Sequence, residues 1–182
     1  MSALEAQVWY QEIMPVPLTQ RQVGERLVAS GTLDDGPSLA ATVGFSDVDT
    51  GLRLVENPSV AVLSEILTVA NVPENQAAGA VLGAAEMLRE AGGEIQAQPG
   101  VFLPGLGEKA HLPGAMAHGM LAVPRLWGGQ APHLRFDDRM ILMLQLFMLT
   151  DDEYEIATQD GLGKLFRRMQ RRGADLENWG RD

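Results

Sequence analysis

A chain of 182 residues, 46% hydrophobic and 21% charged, carries enough apolar material for one real core, which excludes a disordered or collagen-like reading. It has no cysteine, so disulfides, iron–sulfur clusters, thiolate zinc sites and cysteine nucleophiles are excluded. Lys and Arg number 14 against 24 Asp and Glu, a net charge of −10, which argues against broad nucleic-acid binding and anionic membrane surfaces and suits a basic protein partner.

Met1–Met14 mixes apolar and polar residues without a clean period and reads as a short helix ended by Pro15 and Pro17. Glu25–Ser30 reads as a strand stopped by Gly31, and Asp34-Asp35-Gly36-Pro37 as a turn. Leu39–Phe45 is a strand by its small and β-branched residues, and Ser46–Gly51 is a loop or hairpin turn with two aspartates. Leu52–Glu56 reads as a short strand. Val60–Val69 has the length of a strand, although its apolar pattern also fits a buried helix. Pro73 and Glu74 open an alanine-rich helix that Gly92-Gly93 closes. Pro99–Gly114 reads as a loop with short extended pieces, His118–Val123 as a strand and Leu126–Pro132 as a loop. Arg139–Leu149 is a near-continuous apolar run, as expected for a strand covered on both faces. Thr150-Asp151-Asp152-Glu153 is a capping box that starts a helix; Asp160-Gly161 interrupts it, and a second helix runs to Arg172 and Gly173. The tail, Ala174–Asp182, carries Trp179 and folds back on the body. Together these predict one α+β domain over residues 1–182, with a mixed sheet and helices packed on it.

No secretory signal is expected, because no basic residue precedes Arg21. The apolar run Met140–Leu149 is too short to span a bilayer as a helix. The expected location is the cytoplasm, with no membrane partner.

Most chemical motifs fail on inspection. Gly161-Leu162-Gly163-Lys164-Leu165 lacks a P-loop's first glycine, where Thr158 stands, and its Ser/Thr, where Leu165 stands. No H-E-x-x-H or G-x-S-x-G occurs, and His111, His118 and His133 share no metal-ligand spacing. Asp47-Val48-Asp49-Thr50-Gly51 resembles the first motif of haloacid-dehalogenase phosphatases, and paired aspartates after a strand can hold a divalent metal. The competing reading is a polar turn. Lys164, Arg167, Arg168, Arg171 and Arg172 end a helical region that Asp151, Asp152 and Glu153 begin, as the helix dipole favours; an anion-binding patch is the alternative. Trp127, in a Gly/Pro loop, either plugs the core or forms a binding hot spot.

The last third resembles the end of suppressor of fused-like domains. There a hydrophobic strand, here Met140–Leu149, runs into Leu-Thr-x-x-Glu, here Leu149 to Glu153, followed by a helix, a glycine at Gly161 and a second helix carrying Leu162, Leu165 and Phe166. Arg26–Gly31, Ser64–Thr68 and Gly119–Pro124 fit the same pattern more loosely, so the resemblance spans about Glu25 to Leu176. Met148 stands where the family often has proline. The resemblance implies a non-enzymatic, cofactor-free protein-binding module, and for a bacterial stand-alone member an immunity-type inhibitor of a partner toxin. The candidate contact residues are Trp127, His118, Asp47 and Asp49. The alternative is a small metal-dependent hydrolase using Asp47 and Asp49.

Overall fold

Two parallel strands form the spine of the computed structural model, which describes residues 1–181. They are β5 (Asn57–Ala70) and β9 (Arg139–Leu149), paired from Ala61 opposite Arg139 to Leu67 opposite Gln145. Both are buried on their two faces over their later residues, which is why each reads as an unbroken apolar run rather than an alternating one. On one side of β5 lie β3 (Ser38–Val43), β2 (Arg26–Thr32) and β1 (Thr19–Val23), each antiparallel to its neighbour. Beyond β9 lie β7 (His118–Ala122) and β6 (Phe102–Leu103). Two short strands, β4 (Arg53–Leu54) and β8 (His133–Arg135), widen the far ends of β5 and β9. The result is the expected α+β fold built on one mixed, nine-stranded sheet.

Alternation along β9 assigns the helices to the two faces. Leu144, Leu146 and Met148 face α2 (Glu74–Glu90), whose Ala77, Ala80, Val81, Ala84 and Leu88 are wholly buried. Small side chains let this helix lie close on the sheet. Ile141 and Met143 point to the other face, where they join Trp9 and Tyr10 of α1 (Ala3–Ile13). Farther along the same face, Phe147 and Leu149 meet the helical pair α4 (Asp151–Gln159) and α5 (Leu162–Arg172) through Ala157, Leu165 and Met169. The tail returns to the α2 face, where Trp179 is buried.

The local signals behave as chemistry requires. Thr150 and Glu153 form the capping box that starts α4, and Gly173, with φ +62°, ends α5. A second capping box, Ser2 with Glu5, starts α1. Three expectations change. Gly31 lies inside β2 and does not end it; a Cβ there would meet the Pro17 carbonyl oxygen at 2.8 Å, so glycine serves close approach and not termination. The Pro99–Gly114 loop holds a single-turn helix, α3 (Leu106–Lys109), pressed against β7. The Ser46–Gly51 loop begins in a 3-10 turn, Phe45–Asp47, because Glu65 holds its amides.

Candidate functional site

The Asp47–Gly51 turn follows β3 and is built around a buried carboxylate. Glu65, on the inside of β5, accepts bonds from the hydroxyls of Thr42 and Ser46 and from the main-chain N–H groups of Gly44, Phe45 and Ser46. Burial pushes its carboxyl above the ordinary value, and these donors pull against that shift. The exposed aspartates beyond it go separate ways. Asp49 receives a two-pronged bond from Arg53, 2.8 Å to each oxygen, and a third bond from Gly51 N–H. The Arg53 guanidinium and the Gly51 amide hold its carboxyl below the ordinary value. Asp47 instead accepts from the main-chain nitrogen of Met1 at 2.5 Å. Among the described residues no group of three His, Asp or Glu side chains is placed to hold a metal ion.

His118 opens β7 and stacks on Tyr154 of α4, with ring centroids 4.1 Å apart. Its Nδ1 accepts from Gly105 N–H at 3.0 Å, which places the ring proton on Nε2, 2.8 Å from Asp151 Oδ1. Both ring nitrogens are therefore engaged. Trp127 lies toward α1: its Nε1–H donates to the Ile13 carbonyl at 2.9 Å, and its ring packs against the Trp9–Tyr10 cluster. His118 thus belongs to the α4 end of the molecule and Trp127 to the α1 side. Asp47 and Trp127, far apart in sequence, fasten the two ends of one helix.

That helix borders an exposed apolar groove that the sequence did not reveal. The face of α1 opposite Ala6 and Tyr10 shows Leu4, 70% exposed, and Val8, 50% exposed, one turn apart. Across from them, Phe136 sits in the tight turn between β8 and β9, which Phe136 N–H closes on the Arg139 carbonyl. The Arg139 guanidinium covers its ring at 4.7 Å. Between the two lies a cavity of about 340 Å³ floored by Trp9 and Ile141 and edged by Glu5 and Glu12. Solvation does not explain three large apolar side chains left open around one concavity, since contiguous apolar surface of this kind marks contact sites. The Ser2-x-x-Glu5 capping box was the available signal: it fixes the helix start, and with it the face on which Leu4 and Val8 fall.

No protein-family model matches the sequence, and no curated protein matches it. Sufu, as solved in the Sufu–Fu complex, superposes with a TM-score of 0.63 at 14% identity, over 100% of this chain and 91% of that one. A suppressor of fused homolog from Neisseria gonorrhoeae FA 1090 gives 0.63 at 12% identity, over 99% and 93%. Drosophila Suppressor of Fused gives 0.53 at 13% identity; 86% of this chain is covered, but only 42% of that larger one. The protein therefore has the suppressor of fused-like fold, as the strand, Leu-Thr-x-x-Glu and paired helices of its last third imply. Among the described residues, no helix is long and apolar enough to cross a membrane.

Proposed function

We propose that this chain is a non-enzymatic protein-binding module that seats an apolar segment of another protein in the groove between α1 and the β8–β9 turn. The observation that carries the reading is the convergence of Leu4, Val8 and Phe136, all exposed, on one cavity. Arg139 also lines the cavity and Glu5 is taken up by the Ser2 cap, so the preference for a segment flanked by Lys or Arg rests on Glu12 and the net charge of −10. Asp47 and Trp127 serve the site by holding α1 in place, and not as contacts. The fold lends support, because one structural neighbour was solved bound to a protein. In its finer form the module is a cytoplasmic immunity-type inhibitor and the partner a basic toxin.

The test is capture from host lysate with the tagged chain and with the double variant Leu4→Gln, Val8→Gln. Glutamine keeps the helix and removes the apolar area, so stability should change by no more than about 0.5 kcal/mol. The wild type should hold a stoichiometric partner, weakened by salt, that the variant loses. A toxic basic protein in that position would establish the immunity reading. A partner held equally by both proteins would refute the groove.

A further inference from the structure

The helix α5 presents a second surface, of opposite charge, on the far end of the same sheet face. Lys164, Arg167, Arg168, Arg171 and Arg172 fall at positions that share one side of an eleven-residue helix, while Leu165 and Met169 face the core. Lys164 is paired with Asp160, but among the described residues none of the four arginines is paired with a carboxylate. The helix dipole accounts for Arg171 and Arg172 in the last turn. It does not account for Arg167 and Arg168 in the middle, nor for a first turn without an acid. Arg167 with Arg171, and Arg168 with Arg172, are like charges four residues apart, an arrangement that weakens an isolated helix. Arg167 and Arg168 therefore do not serve the helix that bears them, and Arg171 and Arg172 extend the charged face that they begin. Beside them the surface is concave: Ile156, Asp160, Lys164, Arg168, Arg171 and Arg172 line an open hollow of about 490 Å³, whose one carboxylate, Asp160, is already paired with Lys164, while Asp151, Asp152 and Glu153 line a neighbouring hollow that Arg168 and Arg172 also border.

We infer that this face docks an acidic segment of another protein, whose carboxylates pair with the arginines while an apolar side chain enters the hollow beside Ile156. Arginine's planar fork suits paired carboxylates. A long polyanion is disfavoured because the whole chain carries −10. The inference does not rest on the groove at α1.

The probe is a short fluorescein-labelled peptide of alternating Glu and Leu, titrated by anisotropy at low and physiological salt. Its Lys–Leu counterpart and a single-stranded DNA oligonucleotide of equal length are titrated alongside. The wild type should bind the Glu–Leu peptide, more weakly as salt rises. The exposed pair Arg167→Gln, Arg171→Gln, and separately Arg168→Gln, Arg172→Gln, should each weaken it about tenfold. The double variant Leu4→Gln, Val8→Gln should bind it as the wild type does, which separates this surface from the groove. Three results would overturn the inference: no binding by the wild type at low salt, equal binding by both arginine variants, or DNA or the Lys–Leu peptide binding at least as tightly.

Discussion

Arg181, next to the end of the chain, should contribute more to stability than any exposed ion pair in the protein. Its side chain is 5% exposed and Glu153's is 12% exposed. Its Nε and one terminal nitrogen each reach Glu153 at 2.8 Å, and its remaining donors go to the carbonyls of Leu176, Asn178 and Met148. Glu153 also closes the capping box by accepting from Thr150 N–H. Replacing Arg181 with Met keeps the apolar stem but leaves a largely buried carboxylate without its cation and removes the side-chain donors from the Leu176, Asn178 and Met148 carbonyls, of which Asn178 keeps the main-chain N–H of residue 181. Breaking a buried pair from one side costs about 3–5 kcal/mol. The tail can loosen and admit water, so the low end, about 3 kcal/mol, is expected. For a chain of this size that corresponds to a fall in Tm of roughly 6–12 °C. Urea unfolding followed by circular dichroism measures the loss directly. Adding Glu153→Gln to the Met variant removes the stranded charge, so the double variant should be less destabilised than the sum of the single ones. A change within about 0.5 kcal/mol for Arg181→Met would refute the reasoning, because a pair of so little consequence behaves as an exposed one.

Three further outcomes are expected. Glu65 has a raised pKa in the folded protein, so its folded form binds the proton more tightly than the unfolded chain does; that contribution is complete below the unfolded value of about 4.5 and is lost as pH rises through the folded value. The stability advantage of wild type over Glu65→Gln should therefore shrink as pH rises above about 4.5 in paired urea titrations, and a widening gap would contradict the assignment. Gly107→Ala should destabilise by about 2 kcal/mol in the same assay, because a Cβ there would lie 1.9 Å from the Met116 carbonyl oxygen and the backbone has to move. Trp127→Phe should cost about 1 kcal/mol by removing the bond to the Ile13 carbonyl, and should weaken partner capture by loosening the end of α1. Intact capture would mean that Trp127 positions nothing.

What the sequence made legible was local chemistry. The bounds of β9 and the start of α4 could be read because an apolar run and a capping box lie within a few consecutive residues. The helix α2 could be read from its alanines, and the end of α5 from Gly173. By contrast, β1 is a polar edge strand, β8 has three residues and α3 has four, so none carries a period long enough to detect. The partners of the buried charges were hidden for a different reason. Glu65 meets Ser46 across 19 residues and Arg181 meets Glu153 across 28, distances that only the folded sheet closes. The glutamate of Leu-Thr-x-x-Glu could be recognised as a cap, while its second duty toward Arg181 could not. The groove escaped notice because Leu4 and Val8 resemble core residues until the tilt of α1 is known. Trp127 and Asp47 stood out for their residue types, and the structure uses both to hold that helix.

The most direct test of the groove is a calorimetric titration of the captured partner, once purified, into the wild-type chain and into Leu4→Gln, Val8→Gln. Fully burying an exposed side chain of this kind is worth about 1.5–3 kcal/mol, and Leu4 and Val8 are 70% and 50% exposed, so the variant should bind at least about twentyfold more weakly with an unchanged urea midpoint. Equal affinity for the two proteins would contradict the account and move the contact surface away from α1.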